Sequence, residues 1–396
     1  MKKSTLASVV LCCLVAMFQL ACGRHSGPPS HLSKRVFAAT YEPSTPGASI
    51  LIVDAAQDQL TASSIALPIG NPTITQLGPN NTTVVLTSGV GISVIDNTKE
   101  KVAAGISLVS PTTGAGLGDS SSMVEASDGN TLYTAHRSLG MVAVVDVTGK
   151  TVNTTIAVPS VRRLALSPDN LKLLAFSDDV DSFSLIDTSA KTATILCGAT
   201  APCAGLSRPT YAAFSSDSKT AYVIGCGAEC GGTTASLAVF DMTQTPPVQG
   251  KTISLGNAAD MVLSYSGKLY ITGSDPNQGG QLKTVDPAAM AITSSQPVSI
   301  GNGFHTMMTV ASNNKLFIGA QTCSTGCLSM VDLSANTSVA GASRQAVTGI
   351  APIPGRSVVY VSEDGALHIY DTTTSQQTAK SAQVAITGIV NGVVAP

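Results

Sequence analysis

A short pattern of apolar residues closed by Asp recurs along the chain and dictates what it can fold into. It reads ILIVD at Asp54, ISVID at Asp96, VAVVD at Asp146, FSLID at Asp187, LAVFD at Asp241, LKTVD at Asp286, LSMVD at Asp332 and LHIYD at Asp371. The spacings between successive Asp residues are 42, 50, 41, 54, 45, 46 and 39. A unit of about 45 residues with several short strands is the period of a four-stranded propeller blade. Around Asp146 the strands are plain: Leu132 to Ala135, Met141 to Val145, Val152 to Val158 and Val161 to Leu166, with turns at Asp146-Val147-Thr148-Gly149 and Ser167-Pro168-Asp169-Asn170. β-Branched and apolar residues fill the strands, and Gly, Pro, Asn and Asp mark the breaks.

The expected architecture is therefore all-β, a propeller of eight four-stranded blades whose strands are lettered A to D from the axis outwards. Seven blades remain open if the long interval from Asp187 to Asp241 hides an irregularity. The propeller begins at residue 35 with a B-like strand, Arg35 to Thr40, followed by strand C from Ser49 to Val53. Its missing A strand is supplied by the C-terminus, because AITGIVNGVV (385–394) matches AVTGIAPIPG (346–355). Such a clasp removes the free edge of an open ring. Charged residues make up only 12% of the chain, too few for the solvent faces of long helices.

The segment LYTAHRSLGMVAVVDVTGKTVNTTIAVPSVRRLALSPDN resembles the YVTN-type β-propeller repeats of bacterial surface and periplasmic proteins, in a superfamily that includes lactonase-like propellers. Only the blade around Asp146 is close; the others keep the strand-C Asp and lose the rest. The resemblance implies a fold and leaves function open.

Residues 1–21 read as an export signal: Lys2 and Lys3, an apolar run from Leu6 to Leu20, then Gln19-Leu20-Ala21-Cys22-Gly23. That last motif resembles a bacterial lipobox, with Gln19 where Leu is usual. The resemblance implies acylation of Cys22 and, with Gly23 behind it, an outer-membrane lipoprotein facing the periplasm or the cell surface. Ordinary signal cleavage nearby is the alternative. Residues 22–34, rich in Gly, Pro and Ser, read as a flexible tether. Six cysteines lie in the propeller, and an even number in an exported chain points to disulfides. Proximity pairs them as Cys197 with Cys203, Cys226 with Cys230, and Cys323 with Cys327. Metal binding is the weaker reading, since no C-x-x-C occurs and no His is adjacent.

Eight Asp residues in equivalent positions are turn caps before they are a site. Residues that break the repeat are better candidates. Aligned A strands place Arg162, Arg163, Tyr211, Asp260 and His305 at one depth near the axial channel mouth, with Arg162 or Arg163 suited to a carboxylate and Tyr211 and His305 to hydrogen bonds. A net charge of −2 without basic runs gives nucleic acid no electrostatic footing. There is no Trp and no G-x-S-x-G, H-E-x-x-H, Walker A or C-x-x-C-H motif. No metal, cofactor or catalytic residue is expected. The leading expectation is a monomeric, lipid-anchored binding or scaffold module for a protein or glycan partner, not an enzyme. The alternatives are a lactonase-like hydrolase using Arg163, Asp260 and His305, and a structural surface-layer component.

Overall fold

The computed structural model describes residues 29–44, 47–68, 70–89, 91–177, 179–198, 202–294, 296–324, 326–341 and 344–396. The expected export signal (1–21), Cys22 and residues 23–28 of the expected tether lie outside them. The described residues form eight sheets arranged as successive blades. Blade 1 comprises Arg35–Tyr41, Ala48–Asp54 and Gln59–Leu67 as strands B, C and D, with Ile389–Val394 as strand A. Blades 2 to 8 each run A to D in chain order, and their A strands begin at Pro72, Ser122, Arg163, Pro209, Met261, Phe304 and Val347. Eight blades are present, which settles the long interval before Asp241 as one blade.

The expected clasp is formed. Phe37 pairs with Val394, Ala38 with Val393 and Tyr41 with Ile389, antiparallel. The first and last strands of the described residues thus lie in one sheet, and the inner edge of Arg35–Tyr41 is paired. A buried ion network reinforces the seam between blades 8 and 1. The carboxylate of Asp58 receives Nη2 of Arg356 at 2.9 Å, Tyr360 Oη at 2.6 Å and Lys380 Nζ at 3.1 Å. Burial pushes the Asp58 carboxyl up, but these donors outweigh it and hold it down at about 2.

Each sheet is covered on both faces by its neighbours, so the inner strands read as continuous apolar runs. Val84, Val85 and Leu86 of blade 2 show this, as do Leu173 to Phe176 of blade 4. The core is accordingly divided into wedges between consecutive blades. Blades 2 and 3 meet at Leu86, Ile92, Leu132 and Val145; blades 7 and 8 meet at Phe317, Met330, Val359 and Tyr370.

All eight repeat Asp residues cap the turn from strand C to strand D. Asp187 Oδ1 accepts from the N–H groups of Ser189 at 2.9 Å and Ala190 at 2.8 Å, and Asp332 Oδ1 from Ser334 and Ala335 at 2.8 and 3.0 Å. Asp54, Asp96, Asp146, Asp241, Asp286 and Asp371 do the same. At the A–B turns, Ser167 and Ser215 hydroxyls donate to Asp169 and Asp217, each at 2.6 Å. The turn after Tyr265 is tighter: Ser266 and Gly267 both have positive φ, 50° and 73°, as a two-residue hairpin requires.

Three details differ from the sequence-based expectation. The tether is docked by residue 30, where the Ser30 N–H donates to Glu100 at 2.6 Å beside the Arg35–Glu100 ion pair at 3.0 Å. His136, one residue beyond the expected strand Leu132 to Ala135, ends strand B of blade 3, Thr131–His136, and is fully buried. Strand D of blade 6 is split into Ala291–Ile292 and Val298–Ile300, both paired to strand C. The three expected disulfides form, with Cα separations of 4.7 Å (Cys197–Cys203), 5.6 Å (Cys226–Cys230) and 5.3 Å (Cys323–Cys327). No helix of the described residues is long and apolar enough to cross a membrane.

Candidate functional site

The A strands enclose an axial cavity of about 580 Å³ whose lining comes from every blade. Its wall mixes hydroxyl and amide groups, such as Thr75, Ser122, Thr306, Thr348 and Asn391, with apolar Met123, Met261 and Met307. The hydroxyls of Thr75 and Thr306 are buried and have no hydrogen-bond partner. The A strands begin at one face of the ring, called the top, where the B–C loops also lie. At that end its lining includes Arg162, Arg163, Tyr211 and Phe304. A second recess of about 380 Å³ shares Arg162 and Phe304 and extends to Arg137, Asp179, Arg208 and Glu229 on the neighbouring B–C and D–A loops.

Four of the five expected residues act as one assembly. Arg163, at the start of strand A in blade 4, reaches across blade 5 to blades 6 and 7. Its Nη1 donates to the carbonyl of Asp260, and Nη2 to the carbonyl of His305 at 3.0 Å. Its guanidinium carbon lies 4.3 Å from the Phe304 ring centroid and 5.8 Å from that of Tyr211. Both distances are within cation–π range. Arg162 stands 4.9 Å from the Phe304 ring.

Asp260 and His305 hold this arrangement from within the wall. Strand geometry fixes Asp260, whose N–H donates to Thr272 O at 2.8 Å while the Thr272 hydroxyl donates to Oδ1 at 2.7 Å. Oδ2 accepts both the His305 backbone N–H and ring Nδ1, each at 2.7 Å. The other ring nitrogen, Nε2, lies 3.0 Å from the carbonyl of Gly301. Two acceptors on one imidazole call for two N–H donors, so His305 is the imidazolium. Burial disfavours that charge, yet Asp260 outweighs it and the His305 pKa is raised. Burial likewise works against the Asp260 carboxylate, and His305 brings it down.

The sequence alignment places His305 and Asp260 facing the channel; in the structure they are 1% and 0% exposed and line neither the cavity nor the recess. Register shifts mark the strand starts at Thr210 and His305, whereas Asp260 precedes a strand paired in unbroken register and is held in the wall by its bonds to Thr272 and His305. Thr210 is buried, while Tyr211 lines the cavity. His368, in strand C of blade 8 (Ala366–Asp371), lies 2.8 Å from Gln377 and lines neither the cavity nor the recess.

Sequence reasoning did not single out Glu229. It sits in the short turn Gly227–Cys230, closed by the Cys226–Cys230 disulfide in the B–C loop of blade 5. Gly227 is required there: its φ is +64°, and a Cβ would stand 2.2 Å from the Ala235 nitrogen. Glu229 Oε1 accepts the Ser274 N–H at 3.1 Å, while Oε2 is buried without a donor. Burial and the charge of Asp260 push the Glu229 carboxyl up to about 9. Lys283, almost fully buried nearby, is pulled down by burial. An acidic residue inside a five-residue disulfide loop, CGAEC, was the available signal.

Among the described residues no group of three or more His, Cys, Asp or Glu is placed to hold a metal ion. Chemically, the mouth offers fixed guanidinium charge and aromatic faces above a hydroxyl-rich shaft. No family model and no curated protein matches the chain. Among solved structures it is similar to a dihydro-heme d1 dehydrogenase, NirN, in complex with DHE, at 12% identity over 93% of this chain and 76% of that one, with a TM-score of 0.66. It is also similar to apo AztD from Citrobacter koseri, at 15% identity over 92% of this chain and 98% of that one, TM-score 0.58. Kuenenia stuttgartiensis hydrazine synthase matches at 13% identity over 77% of this chain and 98% of that one, TM-score 0.57. At these identities the likeness is one of fold, and the fold is the β-propeller.

Proposed function

We propose that the protein is a binding module that holds a carboxylate-bearing partner, presented by a protein or a glycan, at the top mouth of its axial cavity. One observation carries this reading: the Arg163 guanidinium is fixed by two main-chain carbonyls beside two aromatic rings, facing a cavity large enough for a small ligand. A planar guanidinium matches a carboxylate in geometry and charge. Fixing it beforehand removes an ordering cost from binding.

A lactonase-like hydrolase is disfavoured by the same geometry. A general base must present a lone pair to its substrate. His305 spends both ring nitrogens, and Asp260 both oxygens, inside the wall. Benzoate serves as the probe for the binding reading. Crystals grown with it are expected to show the carboxylate against Arg163; benzoate absent from the mouth would overturn the reading.

The chain is further proposed to be an exported lipoprotein of the YVTN-type propellers, acylated at Cys22. Three closed disulfides support an oxidising compartment. Radiolabelled palmitate should enter the protein and Cys22→Ser should abolish labelling; an unlabelled wild type contradicts the anchor.

A further inference from the structure

We propose that Glu229 and Asp260 share a single proton, and that this proton makes Glu229 a positioning residue for the Arg163 seat, so that carboxylate binding at the mouth is proton-linked. The inference rests on the binding reading above for its ligand, but not for its proton.

The geometry leaves little choice. Asp260 has both oxygens engaged by donors, from Thr272 on one side and His305 on the other, so it is the ionised member. The neighbouring Glu229 oxygen is buried and has no donor. Two carboxylates within hydrogen-bonding reach of each other and largely shielded from water cannot both stay charged, and Glu229, with one donor against three on Asp260, takes the proton. With the proton on Glu229, its O–H supplies the hydrogen bond that Oε2 lacks, directed at Asp260. The resulting chain runs from Glu229 through Asp260 to the imidazolium of His305, and the carbonyls of Asp260 and His305 hold Arg163. The charged groups acting on it are Arg163 and Lys283 as cations and Asp260 as the anion, with Asp275 in turn facing Lys283. In the recess beyond, Arg137 pairs with Asp179 at 3.2 Å, and Arg208 approaches Asp181 at 3.9 Å.

Loss of the proton would put a second negative charge against Asp260. It would repel Asp260 and compete with it for His305 and Arg163, loosening the seat. It would also add negative charge to the recess that adjoins the mouth, which Glu229 itself lines. Both effects weaken an anionic ligand as pH rises. The Cys226–Cys230 bridge keeps the short loop, and Glu229 with it, over Asp260.

Infrared difference spectra of the full chain across pH test the proton without any ligand. A protonated-carboxyl band is expected at neutral pH that disappears towards pH 10 in wild type and is missing in Glu229→Gln. No such band, or one unchanged in Glu229→Gln, overturns the proposal. Calorimetry with benzoate tests the linkage. Binding is expected to weaken about tenfold or more between pH 7 and pH 10 in wild type and to stay level in Glu229→Gln, which keeps a neutral donor. An equal slope in both proteins overturns the linkage. Absence of benzoate binding at every pH, with the infrared band present, instead removes the binding reading and leaves the shared proton standing.

Discussion

Arg163 donates to the main-chain carbonyl of His305 across 142 positions of sequence, at 3.0 Å, and so ties blade 4 to blade 7 over the top of the ring. The tie holds because Asp260 fixes His305 from inside the wall, with 2.7 Å contacts to the backbone N–H and to Nδ1. Removing one member of a fully buried charge pair leaves the other uncompensated, which costs about 3–5 kcal/mol. Asp260→Ala should therefore lower unfolding free energy by about that amount and abolish benzoate binding. Denaturant unfolding checks the first part, and an unchanged midpoint would contradict it.

The seam between blades 8 and 1 should govern acid stability. Asp58 is held at about 2 against 3.8 for an ordinary Asp. A carboxyl depressed in the folded state stabilises above its unfolded value, and the contribution is lost as pH falls through the folded value. The unfolding midpoint of wild type should thus fall between about pH 4 and pH 2 more steeply than that of Asp58→Asn. Parallel curves would show that the network does not tie the seam.

Deleting residues 387–396 should open the ring. The edge of Arg35–Tyr41 would then face water with its hydrogen-bonding groups unpaired. Exposed edges pair with other chains, so self-association or aggregation is expected on size-exclusion chromatography with light scattering. A monomer with the wild-type melting temperature would contradict the clasp.

The repeated Asp residues should behave as structure alone. Asp146→Ala removes the acceptor that receives the Gly149 N–H at 2.7 Å and should cost about 1–2 kcal/mol without altering benzoate affinity. A large loss of affinity with stability unchanged would restore a functional role to this position.

What was legible in the sequence is what local chemistry dictates. Asp ends each strand C because its carboxylate caps the next turn two or three residues on, so its spacing gives the blade count directly. The closing strand was legible because 385–394 repeats the pattern of 346–355, and the disulfides because each pair is four or six residues apart. The site was half legible. Alignment found Arg162, Arg163 and Tyr211 at the mouth, but read Asp260 and His305 as channel-facing. His305 sits at a register shift before Met307 that an alignment of apolar positions does not record, and Asp260 is held in the wall by side-chain bonds to Thr272 and His305 from other strands. Glu229 escaped because its partner Asp260 lies on the next blade, brought near only by the packing of blade 5 against blade 6.

The central claim is that Arg163, seated on the Asp260 and His305 carbonyls, makes the channel mouth a carboxylate site. Titration calorimetry of benzoate, with benzyl alcohol as its uncharged counterpart, tests it most directly in wild type and Arg163→Gln. The expected result is saturable benzoate binding by wild type, at least tenfold weaker binding by the folded variant, and no preference of that variant for benzoate over benzyl alcohol. Equal affinity of wild type for both compounds, or undiminished benzoate binding by Arg163→Gln, would contradict it.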